Sequence, residues 1–175
     1  QNITKVIARN RNIKKALHLL ESRGISATLN DLVEIYPYLN YITVTEADGF
    51  IFSANTVDYQ GNKTRGEELL SRNIFNNPLF VQPQANTVVV GNLGNDPYLK
   101  TLKQGENKLS QTLSAEVLKR GEVIGWVALS LDWQNKYDQL LKDIKSQLAE
   151  SEEAITAVIL TDKRNRILSH SNYAV

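Results

Sequence analysis

Apolar residues recur at intervals of three and four near the start of the chain. They are Ile3, Val6, Ile13, Leu17 and Leu20, with the polar Asn10 standing where a further apolar residue is due. This spacing places one narrow apolar stripe on a helix. The helical spacing resumes after Gly24, and Pro37 ends it because proline cannot continue the backbone hydrogen-bond ladder. The pattern predicts one long helix over residues 2–36, with Gly24 as the place for a bend.

The polar residue in this stripe, Asn10, leaves two alternatives open. In the first, the stripe packs on the chain's own sheet. In the second, the polar residue fixes the register of a homodimer formed through the N-terminal helix, which is a use of single polar residues in coiled coils. Both alternatives hold together if one face of the helix packs on the sheet and another face contacts the second copy of the chain.

The apolar period changes to two after Pro37. Residues 41–45 and 50–54 are two β-rich runs on either side of the dipeptide Asp48-Gly49. This dipeptide readily supplies the positive φ angles of a tight hairpin turn. The pattern therefore predicts a β-hairpin, and it is the strongest local signal in the chain.

Residues 56–108, which we call the insert, differ in composition because they are rich in Asn and hold three of the four Pro. Such a composition favours short helices joined by long connections, with one predicted strand at residues 88–90. After the insert, two strands are predicted over residues 109–118 and 123–131. A charged helix with one apolar face follows them.

Alternation along the last two strands separates an apolar face from a polar one. Between residues 109 and 118, the polar face carries Ser110, Thr112, Ser114 and Glu116. Between residues 123 and 132, the corresponding face carries Trp126 and Ser130. Two interpretations stay open. Either water wets this face of a half-buried sheet, or the insert folds over it and makes a pocket.

The end of the chain repeats the first hairpin. Residues 161–171, TDKRNRILSHS, align without a gap on residues 45–55, TEADGFIFSAN. Asn165 falls on Gly49 in this alignment, and Asn is the residue that next best tolerates a left-handed backbone. We interpret the match as an internal duplication whose second copy is cut off after its first hairpin. The alternative is two unrelated hairpins.

Composition and charge narrow the classes of function. The 175 residues are 42% hydrophobic with a net charge of +1, which suits a globular core and argues against a nucleic-acid partner. The chain has no Cys and therefore no disulfide or zinc–thiolate site. The sequence contains no catalytic triad, paired-carboxylate motif, phosphate loop or metal-ligand spacing. We predict no catalytic residue, no metal, no cofactor and no enzymatic activity.

Four passages occur in an order that is informative as a set. They are the long leading helix, VTEADGFIFSAN, SRNIF and GEVIGWVALSLDW. In this order they resemble the Cache family, the PAS-like extracytoplasmic ligand-sensing modules of bacterial chemoreceptors, sensor histidine kinases and membrane-bound nucleotide cyclases. The resemblance covers about residues 2–132. The repeat is similar to the start of the membrane-proximal unit of a double Cache domain.

The resemblance implies an α+β fold. A long N-terminal helix packs on a PAS-like antiparallel sheet, the helical and loop insert lies over the other face, and a helix and a truncated second hairpin follow. It divides the chain into a leading helix (1–37), a ligand-sensing unit (38–132), a connecting helix (133–152) and the start of a second PAS-like unit (153–175).

A fold of this kind makes a small-molecule pocket between the sheet and the insert. The residues expected to line it are Arg72, Phe75, Tyr98, Thr112, Trp126 and Ser130, with Arg72 as a fork for a carboxylate or phosphate. Family members that bind amino acids have an aromatic pair after the Arg and an Asp in the last strand. Here no Trp or Tyr pair follows Arg72, and Ser130 stands where that Asp is expected. In the alternative, Arg72 is an exposed or cap-pairing residue, and Asp96 and Tyr98 are only turn residues.

The leading hypothesis is an extracytoplasmic, periplasmic small-molecule sensing domain of an inner-membrane signalling receptor, with an anionic or carboxylate-bearing ligand. We expect the chain, which starts at Gln1, to be a piece of a longer protein that is anchored in the membrane outside this sequence. The alternative is a cytoplasmic PAS-like interaction module that dimerises and binds no diffusible ligand. Hydrophobic spans encoded on both sides of this segment in the parent gene would favour the extracytoplasmic sensing domain over the cytoplasmic module.

Overall fold

The computed structural model describes residues 2–22, 24–84, 86–103, 108–149, 157–161 and 167–170. Its helices are α1 (Asn2–Arg9), α2 (Arg11–Leu19), α3 (Ile25–Ile35), α4 (Pro97–Leu102) and α5 (Trp133–Ala149). Its strands are β1 (Leu39–Glu46), β2 (Ile51–Ala54), β3 (Val88–Asn95), β4 (Leu109–Lys119), β5 (Glu122–Asp132), β6 (Ile159–Thr161) and β7 (Ile167–His170). Two short 3₁₀ helices, Gly66–Leu69 and Ile74–Asn76, lie in the insert. The chain divides into two compact units, residues 1–131 and 132–175.

The first unit is built on a five-stranded antiparallel sheet with the strand order β2-β1-β5-β4-β3. The three N-terminal helices cover one face of this sheet. The core between helices and sheet contains Ile7, Ile13, Leu17, Leu29, Val33, Ile42, Val44, Val117, Val127 and Leu129. Each fully buried side chain of this kind contributes about 1.5–3 kcal/mol. The apolar face that the sequence predicted for β4 and β5 therefore faces the helices.

The insert covers the opposite face of the sheet. A second, smaller apolar cluster lies there, formed by Tyr41, Ile51, Ala54, Leu69, Ile74, Tyr98, Leu102 and Ala128. The hydroxyl-bearing residues of this face are at most 1% exposed, namely Ser110, Thr112, Ser114 and Ser130. Water does not wet this face, so that interpretation is wrong. The α+β architecture with helices on one face and the insert on the other is confirmed.

The predicted single helix over residues 2–36 is wrong, because this segment forms three helices. Asn10 leaves the helical conformation with φ −58° and ψ 126°, and its side-chain oxygen accepts hydrogen bonds from the backbone N–H groups of Asn12 and Ile13. Asn10 thus starts α2 as an N-cap. The α2 helix ends at Leu19, its C-cap residue Leu20 has a left-handed φ of 53°, and α3 begins after Gly24, whose φ is 85°.

The second unit contains α5 and a two-stranded antiparallel hairpin, β6–β7. Its register reproduces that of the β1–β2 hairpin. Leu160 pairs with Ser169 as Val44 pairs with Ser53, and the register shifts directly after this pair in both hairpins. Equal register and an equally placed irregularity support the interpretation of an internal duplication. The predicted match of Asn165 to Gly49 lies outside the described residues.

Replacing the helix cap at Asn10 tests the break in the N-terminal helix. We expect Asn10→Ala to lower the free energy of unfolding by about 1 kcal/mol, because the first N–H groups of α2 lose their acceptor. Asn12→Ala is the matched control, since Asn12 is exposed in the first turn of the same helix. Urea unfolding followed by circular dichroism measures both. Equal losses in the two variants would contradict a capping role for Asn10.

Candidate functional site

The segment that carries Arg72 is hydrogen-bonded along the hairpin β1–β2. The Ile51 N–H donates to the Arg72 carbonyl (2.8 Å), the Ser71 N–H donates to the Ile51 carbonyl (3.3 Å), and the Ile74 N–H donates to the Gly49 carbonyl (2.8 Å). These bonds extend the sheet locally beyond β2. The backbone on both sides of Arg72 is thereby fixed relative to the sheet.

The turn of the β1–β2 hairpin is in close contact with the same segment. A Cβ added to Gly49 would lie 2.6 Å from Oδ1 of Asn73 and 2.7 Å from the ring of Phe75. Asn73 returns the contact, because its Nδ2 donates to the Asp48 carbonyl (2.9 Å). Gly49 also has a φ of 90°, so both the turn and the space beside it favour glycine.

An open groove of about 660 Å³ lies beside this turn. We call it the Arg72 groove, and it is lined by Phe50, Ser71, Arg72, Asn73, Phe75, Asn76 and Tyr98. Two of its aromatic residues are exposed, Phe50 at 47% and Phe75 at 42%. A concave surface with exposed aromatic rings and a few polar groups has the composition of a small-molecule site.

Arg72 is the cationic residue of this groove. Its Nε donates to the Glu68 carbonyl (3.0 Å), and its guanidinium carbon lies 5.9 Å from the centroid of the Tyr98 ring, which is within cation–π range. The nearby Glu68 carboxylate pairs instead with Arg65, at 3.3 Å. Within the part of the chain that the structure describes, no carboxylate forms an ion pair with Arg72. Its terminal amino groups can therefore receive an anion from solution.

The aromatic wall of the groove continues into the sheet. The Phe75 ring meets Trp126 edge to face at 6.2 Å and is tilted against Phe80 at 5.8 Å. Trp126 is 5% exposed, and its indole Nε1 donates to the Ala47 carbonyl (3.2 Å). Contacts of this geometry stabilise aromatic pairs by about 0.5–1.5 kcal/mol beyond area burial. Phe75 therefore packs on Trp126, a buried residue of β5.

A buried polar network joins the insert to the sheet behind the groove. The Asp96 carboxylate accepts hydrogen bonds from the hydroxyl groups of Tyr41 in β1 (2.7 Å) and Ser130 in β5 (2.9 Å). It also accepts from Nδ2 of Asn77 (3.0 Å) and from the backbone N–H of Tyr98 (2.9 Å). We call these five residues the Asp96 network. None of their side chains is more than 5% exposed.

Tyr98 belongs to both the groove and the network. Its ring lies under Arg72, its hydroxyl donates to the Asn73 carbonyl (2.6 Å), and its N–H donates to Asp96. Burial raises the pKa of the Tyr98 hydroxyl, while the Arg72 guanidinium acts in the opposite direction. Burial, followed by the Asp96 carboxylate, raises the pKa of the Tyr41 hydroxyl well above its usual value. Both hydroxyls are therefore proton donors at neutral pH.

The six predicted site residues do not all meet in one place. Arg72, Phe75 and Tyr98 line the groove, and Trp126 lies directly behind Phe75. Ser130 does not line the groove; its hydroxyl donates to Asp96, which also accepts the Tyr98 N–H. Thr112 is fully buried under Gly91, and its hydroxyl has no hydrogen-bond partner within the described residues. The residues that line the site remain a prediction.

Three residues at the centre of the arrangement were not among the predicted site residues: Tyr41, Asn77 and Asp96. The sequence offers a signal only for Asp96, since Asp before Pro is typical of a helix start, and Asp96 does cap α4 by accepting the Tyr98 N–H. The alternative that Asp96 is only a turn residue is wrong, because three side-chain donors also bind it.

The residues that the structure describes contain neither a metal-binding cluster nor a membrane-spanning helix. No group of three or more His, Asp or Glu side chains in those residues could hold a metal ion. No helix in that part of the chain is long and apolar enough to cross a membrane.

Similar proteins are found by comparison of structures and not by comparison of sequences. Neither a protein-family model nor a curated protein matches the sequence. The sensor domain of the Vibrio cholerae histidine kinase DctB has a TM-score of 0.61 and 13% identity, over 97% of this chain and 57% of that chain. A domain assigned to the sensory box/GGDEF family, from Vibrio parahaemolyticus, has a TM-score of 0.61 and 8% identity, over 80% and 54%.

A chemoreceptor also matches. The ligand-binding domain of Campylobacter jejuni Tlp3, solved in complex with 4-methylisoleucine, has a TM-score of 0.52 and 14% identity, over 98% of this chain and 66% of that chain. The chain has the fold of a PAS-like sensor domain. This confirms the resemblance to Cache-type sensor modules at the level of the fold. The chain spans between 54% and 66% of the length of these three sensor structures.

Two glycines of the first unit, Gly49 and Gly121, distinguish the cost of a left-handed backbone from the cost of crowding at the groove. Gly49 and Gly121 have nearly equal φ angles, 90° and 89°, but a Cβ on Gly121 would meet no atom within 4 Å. We expect Gly121→Ala to cost about 1–2 kcal/mol through the left-handed backbone. Gly49→Ala should cost about 1–3 kcal/mol more, because the methyl group displaces Asn73 and Phe75. Urea unfolding measures the free energy of unfolding of both variants. Equal losses would show that a methyl group at residue 49 does not crowd Asn73 and Phe75.

The pH dependence of stability tests the Asp96 network of the first unit. Above pH 10.0 the unfolded chain releases the Tyr41 proton, because its pKa lies near the model-compound value of 10.0. The folded protein still holds that proton, because its Tyr41 pKa is raised. The stabilising contribution of Tyr41 is therefore fully present below pH 10.0 and is lost as the pH rises toward the folded-state pKa. We expect Tyr41→Phe to unfold more easily at neutral pH, by about 1.5–3 kcal/mol, and to lose stability less steeply above pH 10.0. Identical slopes in the two proteins would contradict the raised pKa.

Proposed function

We propose that the chain is an extracytoplasmic small-molecule sensing domain of a bacterial transmembrane signalling receptor, in the class of chemoreceptors, sensor histidine kinases and cyclases. The PAS-like sensor fold supports this proposal, since its structural neighbours include a histidine kinase sensor domain and the ligand-binding domain of a chemoreceptor. The periplasmic location and the membrane-anchored parent protein are part of the proposal. Its binding function is non-catalytic.

The proposed ligand site is the Arg72 groove. The space directly between sheet and insert holds the apolar cluster around Ile74 and the Asp96 network, so the side chains of the protein fill the described part of it. The groove, in contrast, is open and is lined by two exposed Phe rings. The ligand-lining residues that we propose are therefore Arg72, Phe75 and Tyr98, with Trp126 as support.

The observation that carries the ligand class is the guanidinium of Arg72 in an aromatic groove, without an ion pair to any described carboxylate. Arg binds planar anions such as carboxylates through two parallel hydrogen bonds. The Phe50 and Phe75 rings offer apolar surface beside it. We propose an anionic ligand, and specifically one with a carboxylate next to an apolar or aromatic group.

Ligand binding would act on the rest of the domain through Tyr98 and the 71–74 segment. Tyr98 lies against Arg72, and the segment contains it. The Asp96 network joins Tyr98 to the sheet, and the bonds to Ile51 and Gly49 join the segment to it. A ligand shifts a conformational equilibrium only by its difference in affinity for the two states. Output through the N-terminal helices, with a homodimer formed through them, stays a prediction.

A thermal-shift screen of carboxylates, amino acids, amines and nucleobases tests the proposed function. A cognate ligand at a hundredfold excess over its dissociation constant should stabilise the domain by about 2.7 kcal/mol. Arg72→Ala should then raise the dissociation constant of an acidic ligand by about tenfold or more, because a charged hydrogen bond contributes about 1.5–3 kcal/mol. Arg72→Lys should recover only part of the affinity, since it lacks the planar fork.

Arg65→Ala is the matched control for this experiment. Arg65 is a partly exposed arginine of the same insert, it pairs with Glu68, and it lies outside the groove lining. Its loss should leave the dissociation constant unchanged. A screen in which no compound stabilises the domain, or an acidic ligand that Arg72→Ala binds unchanged, would overturn the proposal. A domain that dimerises and that no compound of the screen stabilises would favour the alternative, an interaction module without a diffusible ligand.

A further inference from the structure

Positive charge is concentrated at the start of the chain. Residues 2–22 contain one acidic residue, Glu21, and five Lys and Arg residues, namely Lys5, Arg9, Arg11, Lys14 and Lys15. All five belong to α1 and α2. The net charge of the whole chain is only +1, so the remainder of the sequence compensates for a strongly basic first segment.

The basic residues lie on the side of the two helices that faces away from the sheet. The apolar side is buried, since Ile13 and Leu17 of α2 are at most 5% exposed. The helical period places Arg11 and Lys15 on the opposite side of α2, and both are exposed. Arg9 of α1 is exposed in the same way. Because α1 and α2 contact each other and both contact β4, we call their outward side the basic surface.

Ion pairs do not neutralise this surface. Among the described residues, no carboxylate forms an ion pair with any of the five cations. The exposed acidic residues of the neighbouring helix, Asp31 and Glu34, belong to α3, which packs over β1 and β2 and not over β4. Like charges four residues apart, such as Arg11 and Lys15, slightly destabilise a helix. The cations are therefore not explained by the stability of the helices.

Exposed aliphatic residues accompany the cations. Val6 lies in α1, Leu19 lies in the last turn of α2, and the C-cap residue Leu20 is 68% exposed. Leu20 also has a left-handed φ of 53°, a conformation that Gly or Asn usually supplies at the end of a helix and that is unfavourable for a residue with a Cβ. Leu20 thus combines backbone strain with an apolar side chain that the protein does not bury.

The two features together indicate the kind of partner. A second copy of the chain that contacted the basic surface with its own identical surface would bring like charges together. An anionic lipid bilayer complements both features, because its phosphate groups attract Lys and Arg and its interface takes up aliphatic side chains. Lys and Arg beside exposed Leu are typical of helices that lie on a bilayer.

We propose that the basic surface docks the domain on an anionic lipid bilayer. The Lys and Arg side chains of α1 and α2 contact the lipid phosphates, and Leu19 and Leu20 enter the interface between headgroups and acyl chains. The contact is peripheral and reversible. It does not involve the Arg72 groove, because Arg72 belongs to the insert, which covers the opposite face of the sheet.

Cosedimentation of the whole 175-residue chain with lipid vesicles tests the proposal. We expect binding to vesicles of phosphatidylglycerol and phosphatidylcholine in equal parts, and no binding to vesicles of phosphatidylcholine alone. Binding should weaken as sodium chloride is added, since salt screens the charges. The double variant Arg11→Gln, Lys15→Gln should bind the anionic vesicles about tenfold more weakly.

The double variant Lys63→Gln, Lys100→Gln is the matched control. It removes the same charge from two exposed residues of the insert, on the opposite face of the sheet. Its affinity for the anionic vesicles should equal that of the wild-type protein. An equal loss in the two double variants would show that net charge, and not the basic surface, determines binding.

Leu20→Gly separates membrane contact from folding. Glycine adopts the left-handed conformation freely, so we expect this variant to unfold at the same or a higher urea concentration than the wild-type protein. Its affinity for the anionic vesicles should fall by about fivefold, because the apolar side chain is lost. A residue that only stabilised the fold would give the reverse result, with lower stability and unchanged vesicle binding.

Three results would overturn the proposal. The first is a wild-type protein that does not bind the anionic vesicles at low ionic strength. The second is an equal loss in the control at Lys63 and Lys100. The third is a Leu20→Gly protein that binds as well as the wild type, since attraction by charge alone would indicate an acidic protein or a nucleic acid instead of a bilayer. Because Arg72, Phe75 and Tyr98 are intact in every variant, these results are independent of the ligand screen.

Discussion

Burial of the hydroxyl-rich face of the sheet is the constraint on which the first unit depends. When the insert covers this face, each hydroxyl loses its water and needs a protein partner, since an unpaired buried polar group costs about 1–3 kcal/mol. The Ser130 hydroxyl donates to Asp96, the Ser114 hydroxyl donates to the Val81 carbonyl (2.6 Å), and the Ser110 hydroxyl accepts from Asn40 (3.1 Å). Two of these bonds, Ser130 to Asp96 and Ser114 to Val81, join the sheet to the insert and fix its position. Thr112 of the same face is the exception, since its hydroxyl has no hydrogen-bond partner within the described residues.

The groove and the Asp96 network are neighbours because one residue, Tyr98, serves both. Its ring faces Arg72 while its backbone N–H binds Asp96. The backbone before Arg72 is also under strain, since Ser71 has a φ of 67°, a left-handed conformation that costs a non-glycine residue about 1–2 kcal/mol. The hydrogen bonds of Ser71 and Arg72 to Leu69 and Ile51 hold it there. Strain that neighbouring contacts maintain is frequent at binding sites.

The sequence allowed the sheet to be predicted well and the helices and the network less well. Strands β1, β2, β4 and β5 have a strong period of two, and Asp48-Gly49 defines the turn. Asn10 sits at a helical spacing, so periodicity alone could not distinguish a helix interior from an N-cap. The pairing of Tyr41 with Asp96 spans 55 residues and leaves no local pattern. Arg72, Phe75 and Tyr98 could be selected from their chemistry, but the choice between groove and interior needed three-dimensional contacts.

The hydrogen bonds between residue 51 and residues 71–72 have a consequence for the protein in solution. Strand β2 is at the edge of the sheet, and an uncovered edge is a template on which strands of other molecules can pair. Both backbone groups of Ile51 are already used by Ser71 and Arg72, next to the exposed ring of Phe50. The segment that carries Arg72 thus also covers this edge of the sheet at Ile51. Side-chain substitutions at Arg72 leave these hydrogen bonds in place, because the bonds use only main-chain groups.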